Sequence, residues 1–281
     1  MKRISAVTAV LAAFIVLCFA GTAYAQENWV SVQLDYNLYG HVWNTDTGAF
    51  GGLGVPYCAP TATINSFRFL EKSNPLIYGT TLTGGDANIV ASRNALAVQM
   101  NTIINAGTTD KDWWEGKVDW IEARKPGITI YSGMVAPGVN FALWKYNQWL
   151  TNAYPTWDWL WTQLNNKEDV ELKINPGSET AHALTLTSLK FNDLDSDGIW
   201  DLLEPRKIDY LDPNNPTQLF ESDLFLNEFG ALKFNWHNNG FNNPTDVFIS
   251  MAFRESVPEP STIIVLACGL VSLFGQRRRR V

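Results

Sequence analysis

Residues 28–36, NWVSVQLDY, alternate apolar and polar side chains with the period of two that marks a strand. A loop rich in Gly, Asn and Thr follows to residue 57. Further strands are expected at 128–133 (ITIYSG), 169–174 (DVELKI), 182–191 (HALTLTSLKF), 207–211 (KIDYL) and 246–253 (DVFISMAF). A helix is expected from Thr61 to Lys72, starting just after Pro60 and carrying Ala62, Ile64, Phe67, Phe69 and Leu70. Others are expected at 86–104, 111–125 and 141–166, the last broken near Pro155. Helices gather in the first half and strands in the second, an order that predicts an α+β fold with a helical part packed on an antiparallel sheet.

The two ends read as sorting signals. Residues 1–25 open with Lys2 and Arg3, continue as an apolar run from Ala6 to Ala20, and close on Ala23, Tyr24 and Ala25. That is the pattern of a secretory signal peptide cut before Gln26, and the apolar run is short for a membrane span. At the other end Val-Pro-Glu-Pro precedes a mostly apolar stretch, Thr262 to Gly275, and then Arg277 to Arg280. A short transmembrane helix with a positive block behind it would hold the bulk of the chain outside the cytoplasm. These three parts at the extreme C-terminus resemble the PEP-CTERM sorting signal. The resemblance implies a Gram-negative-type bacterium that makes extracellular polysaccharide, delivery to the cell surface or matrix, and a partner exosortase cleaving near Pro258 to Pro260. Between the signals lies one expected domain, 26–256, with the C-terminal signal occupying 257–281.

Charge narrows the partners. Of 28 acidic and 21 basic residues, six basic ones lie in the two signals and no acidic one does beyond Glu259, so the body carries about thirteen net negative charges. Such a body is a poor nonspecific partner for nucleic acid or anionic lipid.

Cys18 leaves with the first signal and Cys268 lies in the C-terminal apolar stretch, which makes Cys58 the lone thiol of the body. A disulfide framework within the domain is excluded, and an exported lone thiol has to be buried, paired with another chain, or used. Cys58 stands at or just before the first turn of the expected helix, where oriented amides and a nearby histidine favour the thiolate. Among His41, His182 and His237, His182 opens a strand and so sits at a sheet end, at the border of core and cleft. The strands flanking the acidic loop 193–204 are expected to pair antiparallel, which brings Asp212 to the same end of the hairpin as His182, ahead of Asp209 and Asn214. A carboxylate there would orient the imidazole.

Tyr57-Cys58-Ala59-Pro60-Thr61, followed by DVELKI, AHALTLTSLKFND and YLDP, resembles the papain-fold cysteine peptidases of the double-glycine leader-peptidase type over roughly residues 55–215. The resemblance implies a papain-like fold with the nucleophile at a helix N-terminus, and hydrolysis of a peptide or protein substrate by Cys58, His182 and Asp212. Two departures stand out. Ala59 replaces the usual glycine, and Gly51, Gly52 and Gly54 occupy the place where such enzymes carry an oxyanion-binding glutamine, Gln33 lying far upstream. The Cys58 amide and a loop residue such as Asn44 are the remaining candidates for donors. A noncatalytic surface or matrix protein and an amide-bond transferase are the alternatives.

The loop DLDSDGIWDLLE places Asp193, Asp195, Asp197, Asp201 and Glu204, with the Ile199 carbonyl, at the ligand spacings of a calcium loop, and Gly198 at its sharp turn. A structural calcium set in a β-hairpin is expected to stiffen the hairpin that carries the histidine. Trp157, Trp159 and Trp161 cannot all face one core if helical. Sugar binding is one use for them, and irregular core packing is the simpler one.

Overall fold

A computed structural model describes residues 27–44, 57–103, 106–175, 181–237 and 245–257. Along these the chain runs β1 (Trp29–Gln33), α1 (Cys58–Ser73), α2 (Ile89–Gln99), α3 (Asp110–Arg124), β2 (Ile130–Val135), β3 (Leu150–Asn152), α4 (Trp157–Asn165), β4 (Asp169–Asn175), β5 (His182–Asn192), β6 (Arg206–Asp212), β7 (Asn215–Leu226), β8 (Leu232–Trp236) and β9 (Thr245–Ser256).

The strands do not form the open sheet of the expected α+β, papain-like arrangement. β4 through β9 pair in sequence, all antiparallel, and β9 returns to β4, closing a six-stranded barrel. β1 adds to β5, while β2 and β3 extend from β9. Two things defeat the sequence reading. β7 and β8 were not foreseen, although Phe220, Ser222 and Leu224 point inward in alternation with Glu221 and Asp223. The closing pair, Asp169 opposite Glu255, joins segments far apart in the chain and leaves no local trace. The helix expected over 141–166 is confined to Trp157–Asn165; ahead of it lie turns and the short strand β3.

Alternation distributes the strand residues between two hydrophobic clusters. Val170, Leu172 and Ile174 of β4 join Leu184 and Leu186 of β5 and Ile249 of β9 in one cluster, with Trp157, Leu160 and Leu164 of α4. Ala183, Met251 and Phe253 face the other way, onto Phe67 of α1, Leu96 of α2, and Trp113, Trp114 and Ile121 of α3. β4 and β5 are therefore covered on both faces, which is why Asp169, Glu171, Thr185, Thr187 and Ser188 are buried. Each such apolar side chain contributes about 1.5–3 kcal/mol by leaving water.

α1 is the most enclosed helix, and its small residues Ala59, Ala62, Thr63 and Ser66 let it lie close against its neighbours. Asn65 fixes it to the preceding segment, accepting from the Val42 amide at 2.7 Å and donating to the Val42 carbonyl at 3.2 Å. Glu71 fixes its far end by accepting from the Leu82 and Thr83 amides, each at 2.7 Å. Trp157 is buried and stacks on Trp161 at 5.5 Å, and Trp159 and Trp161 pack partly buried against the barrel cluster, so these tryptophans serve packing. No helix among the described residues is long and apolar enough to cross a membrane. The N-terminal signal and the C-terminal one beyond Val257 lie outside the described residues.

Candidate active site

α3 and α4 begin with threonines, Thr109 and Thr156, whose hydroxyls accept an amide of the first turn. α1 begins differently. Tyr57 occupies its N-cap without a side-chain bond, and the first helical residue is Cys58. Pro60 sits in the first turn, where its missing N–H costs the helix nothing. The first-turn amides are thus left for whatever lies at the helix mouth.

What lies there is the Cys58 sulfur, which hydrogen-bonds His182 and is met by the amides of Ala59 and, from across the gap, Ala183. The residue as a whole is only partly buried. His182 is the first residue of β5 and is 9 % exposed. Its Nε2 lies 2.8 Å from Asp212 Oδ1, at the end of β6, which leaves Nδ1 for the thiol. The β5–β6 hairpin creates this meeting: Thr185 pairs with Leu211, so both strand ends fall at the barrel end facing α1.

Asp212 is itself held. Its Oδ1 accepts the Asn214 amide at 2.8 Å, and its Oδ2 accepts the indole N–H of Trp236 at 2.7 Å. The same indole ring lies 4.9 Å from the His182 ring, tilted by 30°, and shields it. Trp236, at the end of β8, escaped sequence reading because β8 did. The alternation in LKFNW, with Leu232, Phe234 and Trp236 inward, is the signal that marks it.

The electrostatics favour an ion pair. Burial lowers the His182 pKa, but the Asp212 charge and hydrogen bond, followed by Cys58, raise it to about 10. Burial raises the Cys58 pKa, but the hydrogen bond and charge of His182, then the Ala183 and Ala59 amides, bring it below the ordinary thiol value. Both shifts favour the thiolate and imidazolium, the form in which a cysteine attacks a carbonyl carbon.

The other candidates are occupied elsewhere. Asp209 pairs with Lys190 at 2.9 Å, and Asn214 supports Asp212 through its backbone. The Nδ1 atom of His41 bonds the Pro216 carbonyl, and His237 donates its amide to the Tyr210 hydroxyl. The Asn44 side chain donates to Asn214 Oδ1 at 3.1 Å, so its amide ties the chain to the β6–β7 turn. Gly51, Gly52 and Gly54 lie outside the described residues. Arg93 of α2 holds both flanks of that segment, donating to the Trp43 carbonyl at 2.6 Å and lying over the Tyr57 ring.

The acidic loop joins β5 to β6 at the opposite end of the hairpin. Asp193, Asp195 and Asp197 bring carboxylate oxygens within 4.8 Å of one another. Asp193 accepts the amides of Asp197 and Gly198, the latter at 2.9 Å, and Glu204 reaches back to accept those of Leu194 and Asp201. Asp201 Oδ1 accepts the Leu203 amide. Positive φ at Ser196 (63°) and Gly198 (74°) wraps the backbone around the carboxylates. The Asp197 amide stabilises the Asp195 carboxylate, yet partial desolvation and the charges of Asp197, Asp193 and Glu204 raise its pKa. Oxygen donors crowded at one turn fit a hard cation such as calcium.

Set beside protein-family models and curated proteins, the sequence matches none of them.

Proposed function

We propose that this is an exported cysteine hydrolase that cuts amide bonds of peptide or protein substrates. The single observation that carries the reading is the relay of Cys58, His182 and Asp212 at the mouth of α1. Such a constellation is recognised by geometry and roles and recurs on unrelated folds, so it does not depend on a papain-like architecture. The Cys58 thiolate attacks the carbonyl carbon, and His182 Nδ1 gives its proton to the departing amine. His182 then takes a proton from water as that water releases the acyl group from sulfur. Asp212 keeps the ring oriented and stabilises its charged form, and Trp236 keeps Asp212 in place. The Cys58 amide, free of an intrahelical acceptor at the first helical position, is one donor for the oxyanion.

The acidic loop supports a second part of the proposal. Asp193, Asp195, Asp197, Asp201, Glu204 and the Ile199 carbonyl would hold a calcium ion, whose positive charge answers the crowded carboxylates and stiffens the hairpin. Export, delivery to the surface through a PEP-CTERM signal and handling by an exosortase rest on the terminal sequences alone.

The test is thiol chemistry with a control. The protein is incubated with iodoacetamide near neutral pH and with a library of fluorogenic peptides. Fast alkylation of Cys58 that is lost in His182→Ala, with cleavage lost in Cys58→Ala, is the expected result. Slow alkylation indifferent to His182→Ala, with no cleavage of any peptide, would leave a noncatalytic surface protein instead.

A further inference from the structure

On the helix-covered face of the barrel, four ionisable groups lie in an interior from which water is excluded. Lys117 of α3, Asp169 and Glu171 of β4 and Glu255 of β9 are all 0 % exposed. The Lys117 ammonium contacts Glu171 Oε2 and lies 2.6 Å from Glu255 Oε1. Asp169 stands directly opposite Glu255 in the β4–β9 ladder, and oxygens of the three carboxyl groups fall within 4.8 Å of one another. Both Asp169 oxygens and Glu171 Oε1 accept no hydrogen bond. The surroundings are aromatic: Trp113 and Trp114 lie on the same helix, and the Phe253 ring is 6.0 Å from Lys117 Nζ.

One ammonium cannot answer three ionised carboxylates in a dry interior, because uncompensated buried charge is too costly. The cluster resolves this by keeping protons. Burial, then the Glu171 charge, pushes the Glu255 pKa up to about 8 against the pull of Lys117. Burial and the neighbouring charges of Glu255 and Glu171 raise that of Asp169 well above the carboxylate range. Burial lowers the Lys117 pKa, but the charges of Glu171 and Glu255 outweigh it. The Lys117 ammonium thus lies in contact with the Glu171 carboxyl group, beside Glu255 and Asp169, whose protonated forms burial favours.

Those are the reactants and the acid–base catalysts of a condensation. We propose that Lys117 and Glu171 become joined after folding by an intramolecular amide bond between Nζ and Cδ. The ammonium first gives a proton to the Glu171 carboxylate, leaving an amine and a carboxylic acid. The amine lone pair attacks Cδ and the N–C bond forms. Glu255 donates its proton to the hydroxyl on Cδ, the C–O bond breaks, and water departs. The Glu255 carboxylate then takes a proton from Nζ. One ammonium and one carboxylate become one amide and one water, with no oxidant, nucleotide or other reactant.

Two features drive the step forward. Groups held in contact react as if at effective concentrations on the order of 10^5–10^8 M, which lowers the barrier to attack. The product is neutral, so two buried ions disappear from a site that solvates them poorly. The bond staples α3 to β4 across 54 residues of chain. It would thereby serve a domain whose one free cysteine, Cys58, is engaged at the active site.

Mass spectrometry of the purified full chain decides the matter. Wild type is compared with Lys117→Met, after allowing for the substitution, so that processing of the ends cancels. The expected wild-type mass is lower by one water, trypsin does not cut after Lys117, and the fragment carrying Lys117 is joined to the one carrying Glu171. A wild-type chain that shows no loss of water, and is cut after Lys117, overturns the proposal. Glu255→Gln, checked for folding by circular dichroism, is expected to keep the full unlinked mass. If it links as completely as wild type, Glu255 is not the proton carrier and that part of the proposal fails.

Discussion

Asp212→Asn removes one negative charge 2.8 Å from His182 Nε2 while keeping the size of the side chain. His182 stands at about 10 against an ordinary 6.5, a difference worth roughly 5 kcal/mol at about 1.36 kcal/mol per pH unit. Burial alone opposes that rise, and Asp212 is its first source. Without the carboxylate the imidazole is neutral at pH 7. The thiol then keeps only the Ala183 and Ala59 amides against its own burial. A thiol returned to its ordinary range or above is about 1 % thiolate at pH 7, so alkylation falls, by at most on the order of a hundredfold. The assay is the rate of iodoacetamide labelling by intact mass from pH 5 to 11. Wild type should label at lower pH than the variant, whose rate recovers only as the pH reaches the ordinary thiol range. A folded variant that labels at the wild-type rate at pH 6–7 would refute the ion pair. The sign can be checked in stability as well, in a Cys58→Ala background where no thiolate contributes. A histidine whose folded pKa is raised gives its full stabilisation below its unfolded value of about 6.5 and loses it as pH climbs above that. Thermal unfolding of Cys58→Ala should therefore weaken across that window by more than that of Cys58→Ala/Asp212→Asn, in which the other titrating groups, Glu255 among them, are unchanged.

Trp236→Phe removes a donor at 2.7 Å from a buried carboxylate and should cost about 1–3 kcal/mol. It should also cut Cys58 labelling at neutral pH, and an unchanged labelling rate would detach Trp236 from the site. Calcium at a hundred times its dissociation constant adds about 2.7 kcal/mol, or roughly 5–10 °C in melting temperature for a domain of this size. Chelation should remove that increment from wild type but not from Asp197→Asn, as scanning calorimetry would show. Leu172→Ala empties a fully buried barrel position and should cost about 2–5 kcal/mol in denaturant titration, with Cys58 labelling at neutral pH unchanged in the folded fraction.

The parts of the site that sequence made legible are those set by local pattern. Cys58 at a helix start, His182 at a strand start and the pairing of the strands on either side of the acidic loop all follow from residues close together in the chain. Trp236 and the barrel were hidden because they depend on closure between remote strands. The buried cluster was hidden for a different reason. In DVELKI the alternation of Asp169 and Glu171 with Val170 and Leu172 reads as a strand with one wet face. α3 covers that face, so residues that look solvated are the driest carboxylates among the described residues. Lys117 is similarly disguised, since a lone lysine in DWWEGKVDWIEAR reads as a surface charge, yet Trp113, Trp114, Val118 and Ile121 are buried around it.

Barrel closure also limits how a substrate is gripped. β5, which carries His182, is paired with β6 along one side and with β4 and then β1 along the other. From Thr185 to Phe191 it has a partner on either side, so an extended peptide could add to β5 only at its first residues, His182 to Leu184, which pair with β4 alone. Recognition by added β-structure, which reads the backbone and tolerates many sequences, is confined there to those three residues. A substrate of the proposed hydrolase would therefore be held mainly by side chains, and its selectivity should follow side-chain shape and charge.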